Sequence, residues 1–71
     1  MKTSRKLDKW RHAHRQVAPA KAALDALGAD ADEWSLSVAR AVLNGCLVEQ
    51  ALRFAALSRR DRAIALKEMN P

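Results

Sequence analysis

The chain has 71 residues, a formal net charge of +5 and a single cysteine, so it holds one domain and no internal disulfide. Against roughly 1.5 kcal/mol of ordering entropy per residue, the core of so short a chain leaves little surplus, which favours self-association. No apolar run approaches the ~20 residues that span a bilayer, and the basic start MKTSRKLDKWRHAHR has no apolar stretch behind it, so neither a membrane span nor a secretory signal is expected.

Charge divides the chain into three parts. Residues 1–21 carry Lys2, Arg5, Lys6, Lys9, Arg11, Arg15 and Lys21 against Asp8 alone. Residues 22–39 reverse the sign with Asp25, Asp30, Asp32 and Glu33, and the remainder is positive again. A basic protein of this kind is expected to meet an acidic partner and to work in the cytoplasm, with Cys46 as a small buried residue.

Thr3 or Ser4 can cap a first helix. Leu7, Trp10, His14 and Val17 recur at helical spacing and form a narrow apolar stripe, with Lys6, Lys9, Arg11 and Arg15 over most of the remaining surface. Pro19 lacks a backbone donor and clashes one turn back, so a kink or stop is expected near Val17 or Ala18. AKAALDAL then resumes the helix, puts Leu24 and Leu27 on the same side, and ends at Gly28. Residues 1–27 thus read as a basic helical arm whose first six residues, with no apolar anchor before Leu7, are expected to be mobile. Trp10 reads as a packing anchor, with base stacking as its functional alternative.

Asp30 with Glu33 three residues on predicts the start of the next helix. Trp34, Val38, Ala41 and Val42 form its apolar face, which assigns Trp34 to the core, and Asn44-Gly45 predicts its end. A further helix spans Cys46–Ala56, with Leu47, Val48, Ala51, Leu52 and Ala55 at helical spacing. Ser58 then caps a last helix, with Asp61 in the capping-box position, and this helix runs to Met69. No stretch alternates with the period of a strand. The expected fold is all-α: a basic N-terminal helical arm over 1–27 and a three-helix unit over 30–69 whose C-terminal pair is helix-turn-helix-like.

The last helix opens SRRDR. Arg59, Arg60 and Arg62 lie in its first turn, where the helix dipole favours anions, and Asp61 offsets only one of them. An external anion would supply the balance, and a nucleic-acid backbone is the commonest. The plainer reading has these arginines pointing into water. Two helices joined by a short turn, the second opening Ser-Arg-Arg, resemble a helix-turn-helix. More narrowly, Ala39-Arg40-Ala41-Val42-Leu43, Gly45 and Leu57-Ser58-Arg59 resemble the DNA-reading segment of KorA/TrfB-type repressors of broad-host-range plasmids, over less than half of the chain. Leu52, Ala56 and Arg62 stand where such units carry a small residue, a glycine and an apolar residue. The resemblance implies that Cys46–Ala56 is the supporting helix and Ser58–Met69 the recognition helix.

Catalysis and metal binding find little support. No acid–base pair stands apart from capping positions, Cys46 has no histidine close in sequence, and His12 and His14, two apart, diverge on a helix. No cofactor is expected and the chain is not read as an enzyme. The expected function is a small accessory regulator of plasmid or phage type, a homodimer that binds nucleic acid, most naturally duplex DNA. Arg59, Arg60, Arg62 and Lys67 of the last helix would make the contacts, with Lys6, Lys9, Arg11 and Arg15 adding phosphate contacts. The alternative is a non-catalytic adaptor or inhibitor whose basic arm docks on an acidic protein surface.

Overall fold

The computed structural model describes residues 4–28 and 30–70, and these form three helices, α1 (Arg5–Ala26), α2 (Glu33–Ala55) and α3 (Arg59–Met69). There is no strand among the described residues, so the domain is all-α. Among the described residues no helix is long and apolar enough to cross a membrane.

α1 starts because Ser4, with extended backbone angles, accepts the Leu7 N–H on its Oγ at 3.0 Å. This corrects the expected mobility of the first six residues in part: Ser4 is tied down, and Arg5 and Lys6 are already helical. Residues 1–3, including the alternative cap Thr3, lie outside the described residues. The helix then runs through Pro19 and does not stop at Val17. The residues around Pro19 are strong helix formers (Ala18, Ala20, Lys21, Ala22, Ala23), and α1 packs along α2. Tertiary packing of this kind can outweigh the bond that a proline removes. Gly28 follows the helix end without entering the left-handed region. The chain instead turns extended at Leu27, whose N–H donates to the Leu24 carbonyl at 3.2 Å.

α2 departs from expectation at both ends. Its N-cap is Asp32, not Asp30: the Asp32 carboxylate accepts the Ser35 N–H at 2.7 Å, while the Ala31 N–H closes a turn onto the Gly28 carbonyl. Nor does the helix end at Asn44-Gly45. One 23-residue helix replaces the expected two, so residues 30–69 hold two helices rather than three. A glycine inside a helix costs only about 1 kcal/mol relative to alanine. Helix-forming segments on both sides and the packing along α1 outweigh that cost. Three residues, Ala56 to Ser58, then lead into α3, and Ser58 Oγ accepts the Asp61 N–H at 3.2 Å as its cap.

α1 and α2 form a hairpin in which the first half of α1 meets the second half of α2. His14 Nδ1 lies 2.7 Å from Gln50 Oε1, the imidazole N–H donating, and the ring stacks on Trp10. α3 returns alongside α1. Ser4 Oγ donates to the Asp61 carboxylate at 2.6 Å, and Arg11 Nε donates to both Glu68 oxygens at 3.0 Å. Both contacts join residues 57 apart in sequence, so α1 and α3 run parallel and in register over two turns. Between them Leu7, Trp10, Leu57 and Ala65 make the buried core, with Phe54, Ile64 and Met69 against it. Ala65 is fully buried, and its small side chain lets the helices approach closely there.

The core sits at one end. The far half of the hairpin has no third helix over it, and the molecule measures 49 × 21 × 16 Å. Its radius of gyration of 14.6 Å exceeds the ~11 Å of a compact chain of this length. Trp34, expected in the core, is 74% exposed, because no third layer among the described residues covers its face of α2.

Candidate nucleic-acid interface

The Ser4–Asp61 hydrogen bond sets the N-termini of α1 and α3 side by side. Each N-terminus presents backbone N–H groups without helical partners and the positive end of a dipole. Arg5 and Lys6 in the first turn of α1, and Arg59 and Arg60 in the first turn of α3, are all exposed at this end. Charge follows the same division. α1 carries Arg5, Lys6, Lys9, Arg11, Arg15 and Lys21 against Asp8 and Asp25, and α3 carries Arg59, Arg60, Arg62 and Lys67 against Asp61 and Glu68. α2, with Arg40 and Arg53 against Glu33 and Glu49, is neutral.

The eight cations expected to bind have different standing. Lys6, Lys9 and Arg15 on α1 and Arg59, Arg60 and Lys67 on α3 are exposed. Arg11 is held by Glu68, and more distantly by Asp8 at 3.8 Å. The hydrogen bond to Glu68 raises its pKa further, so the guanidinium stays charged while tying α1 to α3. Arg62 turns back on the preceding helix: its Nη2 donates to the Ala55 carbonyl at 2.8 Å and its guanidinium lies 5.9 Å from the Phe54 ring centroid. It satisfies one of the orphan carbonyls at the end of α2 and adds a cation–π contact. Both residues therefore hold the helices that present the others.

Two acidic residues stand in these first turns, Asp8 on α1 and Asp61 on α3, and the second ties the helix starts together. Asp61 spends its backbone N–H on Ser58 and its carboxylate on Ser4, so it brackets the two helix starts. A groove of about 600 Å³ lies beside this region between α1 and α2, with Lys9, His12, Cys46 and Glu49 among its lining residues. Periodicity could not reveal it, because it depends on which α1 residues face α2. Trp10 is fully buried, which leaves it in the core and away from any base; its Nε1–H meets no acceptor among the described residues. No group of three or more metal-binding side chains occurs among the described residues. The chain matches no protein-family model, no curated protein and no solved structure at a significant level.

Proposed function

We propose that this protein is a small accessory nucleic-acid-binding regulator that contacts duplex DNA through the start of α3, with the first turns of α1 alongside. The observation that carries the reading is the Ser4–Asp61 bond, which brings two helix N-termini and the exposed Arg5, Lys6, Arg59 and Arg60 to one end. A phosphate there would meet backbone donors, two aligned dipoles and several cations together. Arg59 and Arg60 are the central contacts, Lys6, Lys9 and Arg15 add non-specific attraction, and Arg11 and Arg62 act through the scaffold.

Titration of duplex DNA, single-stranded DNA and RNA across a range of salt tests this. For duplex DNA the log–log slope should be roughly −0.9 per phosphate neutralised. Arg59→Ala or Arg60→Ala should make the slope shallower by about one unit if the lost contact is to phosphate. A contact to a guanine edge would instead relax sequence preference at a cost of ~1–3 kcal/mol. If both variants bind as the wild type does at matched salt, the reading fails. The adaptor reading would then stand, with the same arginines needed for an acidic protein surface.

A further inference from the structure

α2 is apolar on two opposite faces. One face, with Leu36, Leu43 and Phe54, is half-buried within the chain. The other carries Trp34, Val38, Ala41, Gly45, Val48 and Leu52, and every one of these residues is exposed. Their spacing, 4-3-4-3-4, is the seam of a coiled coil, and Ala55 continues it. Within the seam Trp34 is 74% exposed, Val48 57% and Leu52 62%. An apolar helix face is stable when it is covered, and one chain covers only one of the two that α2 carries.

We propose that a second copy of this chain covers the open face, with the two α2 helices antiparallel about a two-fold axis near Gly45. Three observations select this occupant.

The first is size. Reversing the seam about Gly45 sets Trp34 opposite Ala55, Val38 opposite Leu52, and Ala41 opposite Val48 of the other copy, so that Trp34 and Val48 each face an alanine. At the centre glycine meets glycine, and nothing lies within 4 Å of where a Gly45 side chain would begin, so a second backbone can come close. A parallel pair would instead set Trp34 against Trp34 and leave alanine against alanine.

The second is charge. Two chains of net charge +5 repel, and α2 is the neutral helix, so pairing through it keeps the cations of α1 and α3 away from the contact.

The third is area. The seam, with the adjoining exposed Val42, offers on the order of 600 Å² per copy, and a pair that covers it fully therefore buries ~1,200 Å², the lower bound of specific interfaces. An isologous contact of this kind closes on itself as a dimer.

This interface stands apart from the nucleic-acid reading and survives its failure. Sedimentation of the full chain from low to high micromolar concentration should show a monomer–dimer equilibrium. Val48→Glu and Leu52→Glu, at positions exposed in the single chain, should weaken it roughly 30-fold or more, the effect of losing an interface hot spot, while Leu66→Glu, exposed on α3, should not. A folded monomer throughout, or Val48→Glu and Leu52→Glu dimers as tight as the wild type, would overturn the proposal. A second measurement leaves most of the apolar face intact. In a Cys46→Ala background, chains with Ala41→Cys and chains with Val48→Cys, mixed and treated with a short bis-maleimide, should join to each other in preference to themselves. Preferential 41–41 and 48–48 products mean a parallel pair and overturn the arrangement.

Discussion

The two tryptophans stand in the two halves of one hairpin and meet opposite fates. Trp10 is fully buried beside Leu7, Leu57 and Ala65, where three helices converge, whereas Trp34 is 74% exposed where only two run. Both lie on helical apolar stripes, and each follows a well-formed N-cap. The difference lies outside the residues themselves. A core needs a third surface, and α3, only 11 residues long, reaches along α1 from Ser4 to Glu68's partner Arg11 and no further. Stability within one chain is therefore concentrated at the α3 end, and the other half offers its apolar surface outward.

The largest expected effect breaks that contrast at its strong side. Trp10→Ala should destabilise the domain by about 3–5 kcal/mol, the cost of removing a buried aromatic. For a chain this small, whose total stability is ~4–10 kcal/mol, that is enough to populate the unfolded state. Trp34→Ala should leave the dilute chain's stability within about 1 kcal/mol of the wild type and act instead on association at high concentration. Thermal melts of both variants at two concentrations check this, and equal losses in dilute solution would remove the distinction between the halves.

Periodicity made the stripe of Leu7, Trp10, His14 and Val17 legible, because three of these four positions face the other helices with little else to satisfy them: Leu7, Trp10, and His14 through Gln50. Cap chemistry identified Ser58, and Ser4 as one of two candidates beside Thr3, for the same local reason. The start of α2 failed locally, since Asp30 and Asp32 are both good caps two residues apart and Asp32 is the one used; the other failures needed knowledge of distant neighbours. Trp34 showed that α2 has an apolar face but not whether that face has a partner. Asn44-Gly45 is locally the best place to stop, yet α1 packed alongside keeps the helix going. Arg59 and Arg60 could be placed at a helix start from sequence, whereas the roles of Arg11 and Asp61 as ties between α1 and α3 depend on pairs 57 residues apart. Arg62 reaching back to Ala55 depends on the turn geometry between α2 and α3.

The junction at the strong end can be weakened without touching the core. Ser58→Ala removes the acceptor for the Asp61 N–H and should cost about 1 kcal/mol. Because Asp61 also joins α3 to Ser4, the loss should appear as faster amide exchange along α3 before it appears in the distal part of α2. Uniform acceleration across all three helices would mean that the two halves open as a single unit.

Gly45 offers a sharper comparison, since the same substitution should have opposite signs in the single chain and in the pair. With helical angles and open space around its missing side chain, Gly45→Ala should raise the stability of the dilute chain by up to about 1 kcal/mol. At high concentration the added methyl falls where two backbones come closest and should weaken association. Denaturation at low concentration and sedimentation at high concentration separate the two effects. No gain in the dilute chain would mean that α2 is interrupted at Asn44-Gly45 after all.

The smallest expected effect belongs to the start of α2, at the weakly supported end. The Asp32 carboxylate accepts hydrogen bonds from the Ser35 side chain and backbone N–H, and these hold its pKa below the ordinary 3.8. A carboxylate whose pKa is lower in the folded state contributes stability above its unfolded pKa, and loses that contribution as pH falls through the folded value. Neutral and basic solutions should therefore show no dependence from this group, and α2's first turn should begin to fray only in acid, below the ordinary carboxylate range. Asp32→Asn keeps a side-chain acceptor for the Ser35 N–H but cannot titrate, so the variant should lose this component of the acid dependence while retaining the cap. Amide exchange or chemical shifts at Ser35 and Leu36, followed from neutral pH into acid in both proteins, provide the readout. An identical acid transition at those residues in Asp32→Asn would show that the fraying does not come from Asp32.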